Sequence, residues 1–346
     1  DCDFAMTSRS IITKYAPYMV WAFFIYFCFY YAVEITEGGN SWKTGDWLIN
    51  YSSGPIRRGL LGTILLNISD LGLPLLWLTY AVQVAMYAII FIFVLKIYKH
   101  KERGFFWLLI LFSPSFLLFP FYDLPGGFRK EIIVFAIFSY FCLIYVRKSI
   151  TYSKLLLISV AYGFASLSHE ITIFTLPFFL YLLHVSVKEN IVTSKIAITY
   201  SVILTFVSLA SLLFSFLYKG DVVSEKAICS SLINRNYDMS ICKGAIAWLS
   251  KDTHDVQNIV VNNLSYKSIY VPILFFITML PLLFCTTWWR KERIILLAVS
   301  IVTILPLFFV AIDWGRWIYI LSFMFFCLSL AEKLVVKFSY KHIFFF

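Results

Sequence analysis

The sequence predicts an all-α protein, a polytopic transmembrane helical bundle that crosses a bilayer about ten times. Three observations carry that expectation. Of 346 residues, 61% are hydrophobic and only 14% are charged, whereas soluble domains are nearer half apolar and a quarter charged. No water-soluble fold hides that much apolar surface, so the solvent is lipid. The apolar residues also gather into stretches of membrane length. Lys and Arg, finally, lie in short runs between those stretches. A net charge of +10 distributed in this way marks membrane topology and argues against a nucleic-acid partner.

Ten stretches are long and apolar enough to be read as spans: 16–35, 73–97, 105–121, 131–146, 154–167, 171–187, 196–218, 269–288, 294–312 and 317–334. The first lacks a small-residue cleavage site, so it reads as a retained helix and not a cleaved signal peptide. Segment 59–70 is too short to span and is expected to lie in the interface or to re-enter. The fifth and sixth stretches are short and are separated by Ser168, His169 and Glu170 alone. They read either as half-buried helices or as one broken pair dipping into the bundle.

The distribution of basic residues sets the orientation. With the amino terminus inside, seventeen of the 29 Lys and Arg residues fall on the cytoplasmic side. The short outer loops then hold six: Lys43, Arg57, Arg58, Arg129, Lys130 and Arg316. The other six lie in one long outer loop, 219–268, which the positive-inside rule discounts. Ten spans with both termini cytoplasmic make every inner turn basic. The chain is therefore expected to form a single integral membrane domain over 1–346, with 219–268 as a lid or acceptor-binding subdomain.

Of the seven cysteines, Cys28, Cys142, Cys285 and Cys327 fall within spans and read as small packing residues. Cys229 and Cys242 share the long outer loop. In an oxidising compartment they are candidates for a disulfide, the alternative being two free thiols.

Polar groups at membrane depth are the most informative feature. Ionisable residues cost several kcal/mol when they face lipid, so they turn inward and pair. Four outer segments carry them. In the first, Gly54-Pro55 makes a turn and Arg57-Arg58 precede a short apolar helix, an arrangement suited to a phosphate. Asp46 in the same loop is a candidate base. The second, 122–131, places Asp123, Arg129 and Lys130 around a Pro-Gly-Gly turn, a second cationic pair beside carboxylates. The third is His169-Glu170, a candidate general base with its orienting partner. The fourth is Asp313-Trp314-Gly315-Arg316, in which Asp313 and Arg316 are spaced to pair on a helix. Trp314 reads as an interfacial anchor or as a stacking surface for a sugar ring. Each charged group also has a purely structural reading, as ion-paired glue. No metal site is expected: no second His stands four residues from His169, and there is no Cys-x-x-Cys. No cofactor motif is present.

Arginine pairs and acids on outer loops, backed by an apolar bundle, suit a saccharide linked to a polyprenyl (pyro)phosphate. At this point the chain resembles the bacterial O-antigen and capsule repeat-unit polymerases, and more widely the multispan glycosyltransferases of the type-C fold. The resemblance is one of organisation over nearly the whole chain. It departs in having no clear Asp-x-Asp or Glu-x-Asp pair in the first loop. It implies an inner-membrane enzyme of surface-polysaccharide synthesis whose active face is periplasmic. Its donor would be an undecaprenyl-(pyro)phosphate-linked glycan, and other polysaccharide-assembly membrane proteins are implied partners. Asp46, His169, Glu170 and Asp313 would supply acid-base chemistry. Arg57, Arg58, Asp123, Arg129, Lys130, Arg316 and Trp314 would bind the substrate. The alternative is a transporter or flippase of a lipid-linked sugar or another anion, and a third reading is an acyltransferase with His169 as base.

Overall fold

A computed structural model describes residues 2–101, 105–251, 253–262, 266–310 and 313–336. The described residues are helical, with no strand among them. The first half comprises α1 (Cys2–Thr36), α2 (Gly59–Ser69), α3 (Leu75–Tyr98), α4 (Phe105–Leu111), α5 (Phe119–Tyr122), α6 (Glu131–Val146) and α7 (Tyr152–Ser168). Next come α8 (Leu176–Lys188), α9 (Ser194–Leu217), α10 (Val222–Ile233) and α11 (Thr253–Asn262). The chain continues through α12 (Tyr266–Ile277), α13 (Leu280–Phe284), α14 (Lys291–Ile304), α15 (Leu307–Val310) and α16 (Trp314–Ala331).

Among the described residues, six helical segments are long and apolar enough to cross a membrane: Tyr15–Thr36, Leu75–Tyr98, Glu170–Lys188, Ser194–Leu217, Lys291–Phe309 and Trp314–Ala331. Each overlaps one of the ten expected stretches. The remaining four stretches are shorter or interrupted. Helices α6 and α7 have 16 and 17 residues, about 24 and 26 Å at 1.5 Å per residue. Stretch 105–121 divides into α4 and α5 around Pro114, and 269–288 divides into α12 and α13 just before Pro281. Proline removes a backbone donor and clashes with the preceding turn, so an apolar run containing one need not stay a single helix. The two interruptions meet. The Ser115 hydroxyl hydrogen-bonds the Thr278 hydroxyl, and Thr278 bonds the Phe275 carbonyl at 2.6 Å. Side-chain hydroxyls thus occupy polar groups where the chain breaks, as an apolar solvent requires.

Helices α6 and α16 form the axis of the bundle. They pack on each other, on α3 and on α8. Along α16, 83% of the residues in its apolar window are buried, against 28% in α9 and 22% in α14. The last two are the lipid-facing periphery: Val202, Phe206, Leu213 and Phe216 project outward from α9. Aromatic rings fill the axis. Phe119 stacks on Tyr319 with centroids 3.7 Å apart, and Phe135 stacks on Phe323 at 4.0 Å.

Helix α2 does not span. It lies against the turn Gly45–Leu48 and against α3 and α7. A Cβ at Gly62 would stand 2.0 Å from the Ile49 carbonyl oxygen, so only glycine lets α2 approach the first loop this closely. The long loop 219–268 is itself folded. Helix α10 leads into 3-10 turns Met239–Lys243 and Ala247–Leu249, and Cys229 is bonded to Cys242 with Cα atoms 6.0 Å apart. This unit rests on the first loop. The Ala245 N–H donates to the Ser41 carbonyl at 3.1 Å, and the Arg57 N–H donates to the Tyr218 carbonyl at 2.7 Å. Trp42 and Trp248 lie in ring contact.

Candidate functional site

The four charged segments converge at one end of the axis. Glu131 is the first residue of α6 and Arg316 the third of α16. The Arg316 guanidinium binds both Glu131 carboxylate oxygens, at 3.0 and 2.9 Å, and donates to Asp313 at 2.6 Å. Both Glu131 and Arg316 are buried, so this fork fixes the two axial helices to each other.

A second fork stands beside it. Arg58 Nε donates to the Glu170 carboxylate oxygens at 2.9 and 2.8 Å, with Nη2 also on Oε1. Arg57 approaches the same carboxylate at 3.7 Å. Arg58 holds a left-handed backbone, φ 66°, at the start of α2. That conformation costs a non-glycine residue of order 1 kcal/mol or more. Lys130 is buried and donates its ammonium to the Arg58 carbonyl at 2.8 Å, which ties the second loop to the first.

Phe128 is also left-handed, at φ 59°. Its carbonyl points inward and accepts from the Trp47 indole at 2.8 Å and the Gln83 amide at 2.8 Å. The residues that follow are Arg129 and Lys130, so this anchored carbonyl fixes where both cations begin. The Arg129 guanidinium lies over the Trp42 ring, 5.4 Å from its centroid.

Asp46 occupies the middle. It is fully buried, and neither carboxylate oxygen has a hydrogen-bond partner within the protein. Its contacts are two long ion pairs, to Arg58 at 3.6 Å and to Arg129 at 3.8 Å. Burial pushes its carboxyl up, but Lys130, Arg129, His169 and Arg58 together hold it well below the usual carboxylate range. A buried, ionised carboxylate without hydrogen bonds is expensive. The same cations pay a cost of their own: burial pulls Lys130 down to about 8, with Asp46 resisting.

His169 ends α7 with an extended backbone and is buried. Its Nδ1 accepts from the Ile171 N–H at 3.4 Å and lies 3.6 Å from Glu170. Burial, reinforced by Arg58, lowers its pKa, so the ring is neutral at pH 7. With Nδ1 accepting, the neutral ring carries its proton on Nε2. That atom is buried and has no hydrogen-bond partner within the protein.

Asp46, Arg57, Arg58, Arg129, Lys130, His169, Glu170, Asp313 and Arg316 therefore form one constellation. With Glu131 it holds five cations and four carboxylates. Asp123 lies at its edge, half-buried, accepting the Gly126 N–H at 3.1 Å. Burial raises its pKa, with Arg316 among the opposing charges. Trp314 stands apart: its indole donates to the Phe308 carbonyl at 3.0 Å. Among the described residues, no three His, Cys, Asp or Glu side chains gather as a metal site. Glu131, the carboxylate that follows the second cationic pair, is a site-building residue, and so are Trp42, Trp47 and Gln83, which sequence reasoning did not single out. Glu131 had a signal, being an acid directly after two basic residues at a helix start. The others had none.

No protein-family model matches the chain, and comparisons with curated proteins and with solved structures found no match.

Proposed function

We propose that the chain is a membrane glycosyltransferase of the repeat-unit polymerase type. In this reading it works in a bacterial inner membrane, with ten crossings and both termini inside. It transfers saccharide from an undecaprenyl-(pyro)phosphate donor on the periplasmic face, for O-antigen or capsule synthesis. The observation that carries the reading is Asp46. A wholly buried carboxylate held only by long ion pairs, among arginines at the mouth of an apolar bundle, is poorly satisfied by the protein alone. The meeting of all four outer segments at one end of α6 and α16 supports placing them on one side of the membrane.

The chemistry follows from the charges. Arg57, Arg129 and Lys130 hold the donor phosphates. Their neutralisation by an anion removes the attraction that keeps the Asp46 carboxyl acidic, while burial continues to raise its pKa. Donor binding thus makes Asp46 a stronger base for the acceptor hydroxyl. The neutral His169 ring offers its Nε2–H to an oxygen of the leaving phosphate, which stabilises developing charge. Glu170 and Glu131 orient Arg58 and Arg316.

One observation favours transport as a second reading. Interrupted helices such as α4–α5 and α12–α13 are a feature of carriers. In carriers, however, the charged site lies near the midplane, and here it lies at the helix ends.

The test is the surface-polysaccharide ladder of a strain carrying Asp46→Asn in place of the natural chain. Membrane levels are expected to stay normal while long chains vanish and a single repeat unit remains. Loss of one side-branch sugar instead would make the protein a single-sugar transferase. Absence of repeat units from the outer face would make it a flippase. A full-length ladder would remove Asp46 from the mechanism.

A further inference from the structure

The opposite end of the axial helices carries a cavity of about 570 Å³, lined by His100, Lys101, Trp107, Lys148, Glu332 and Lys333 among others. Helix α6 separates it from the Asp46 cluster by about 24 Å, at 1.5 Å per residue. Three lysines and a histidine line it, against two carboxylates, Glu189 and Glu332. Glu332 is already committed. Its carboxylate takes the Tyr181 hydroxyl at 2.7 Å and the Arg293 guanidinium at 2.7 Å, and Arg293 is as buried as its partner. The charge left to the cavity is therefore positive. Lys101 caps the Glu332 carbonyl and lies over the Trp107 ring. Lys148 and Lys333 are exposed at the rim. The remaining wall is apolar, with Val146, Leu330, Leu334, Val335 and Val336.

We propose that this cavity binds the phosphate of an anionic phospholipid, with its lysines on the headgroup and its apolar wall along the glycerol and first acyl carbons. Ammonium groups act as point charges for phosphate. Basic cavities between spanning helices suit such headgroups, and the volume is that of a small-molecule site. The lipid would hold α16 and the segment after it against α4 and α6. The proposal does not depend on what the Asp46 cluster does.

The experiment uses the purified full chain in a neutral detergent. Dihexanoyl phosphatidylglycerol, dihexanoyl phosphatidylcholine and inorganic phosphate are titrated separately, and thermal unfolding is followed. The expected result is stabilisation by phosphatidylglycerol alone. The double variant Lys148→Gln, Lys333→Gln removes only exposed rim charges and should melt like the parent without lipid. Its half-saturating phosphatidylglycerol concentration should rise by roughly tenfold or more, because each basic residue near an anionic lipid contributes about a factor of five. Equal stabilisation by phosphatidylcholine, or an unchanged response in the double variant, would overturn the proposal. Stabilisation by inorganic phosphate at similar concentrations would overturn the lipid assignment and make the occupant a soluble phosphate compound.

Discussion

Arg58 ties three of the site's residues together. It forks onto Glu170, faces Asp46, and offers its own carbonyl to Lys130. Arg58→Lys keeps the charge but cannot supply the planar fork. The expected loss of transfer activity is about 1.5–3 kcal/mol, the range for a hydrogen bond to a charged group. That is roughly ten- to a hundredfold in rate, with membrane insertion intact; activity within twofold of the parent would show that the fork is dispensable. Lys130 gives a pH dependence. Its pKa in the folded protein is about 8, below that of a free lysine. Between those values the unfolded chain binds the extra proton, so this residue's contribution to stability rises with pH. Under the proposed function donor binding moves the other way, because it would need the charge. Activity should fall as pH climbs through about 8, and Lys130→Arg should carry that limb to higher pH. An unchanged alkaline limb in Lys130→Arg would assign it to another group. Most of these residues were legible in the sequence, for a physical reason: an ionisable group beside a span is costly unless paired, so its position alone makes it a candidate. Their partners were not legible. Glu131 and Arg316 are 185 residues apart, and no local pattern links them.

At the scale of elements, hydropathy located the long helices and missed the interruptions. A window average counts Pro114 and Pro281 as single residues among many apolar ones, whereas the backbone responds to each proline as a lost donor and a steric clash. Thr278 and Ser115 compensate one another across the bundle, a pairing that only the tertiary structure supplies. Similarly, α2 was legible as too short to span, but its seat against Ile49 rests on the absent side chain of Gly62. The unit around α10 yields a direct measurement. Cys229 and Cys242 close a loop of separation 13, worth about 3 kcal/mol in the chain-entropy picture. Thiol reagents applied to unreduced, unfolded protein should modify neither; labelling of either would exclude the bond. Because this unit rests on Ser41 of the first loop, Cys229→Ser should, under the proposed function, also weaken donor binding while leaving α6 and α16 packed.

For the whole molecule, the proposed topology is open to a simple measurement. Reporter fusions after Asn50, Pro125 and Ser240 should report the outer compartment, and fusions after His100, Ile150, Asn190 and Glu292 the cytoplasm. A cytoplasmic signal at Ser240 would reverse the map. The fork between Glu131 and Arg316 has a further consequence, for descent. The outward face of a helix such as α9 asks only for apolar side chains, so substitutions there should accumulate freely and similarity along the chain should fade. A buried ion pair does not drift in that way. Loss of one partner strands the other charge, at a cost of about 3–5 kcal/mol, so positions 131 and 316 must change together or not at all. Arg58 and Glu170 are only half-buried, so positions 58 and 170 are held together by the same logic but less strictly. Distant relatives should therefore share coupled pairs far apart in sequence more faithfully than any contiguous motif, and a search for joint variation at those four positions is the way to find them.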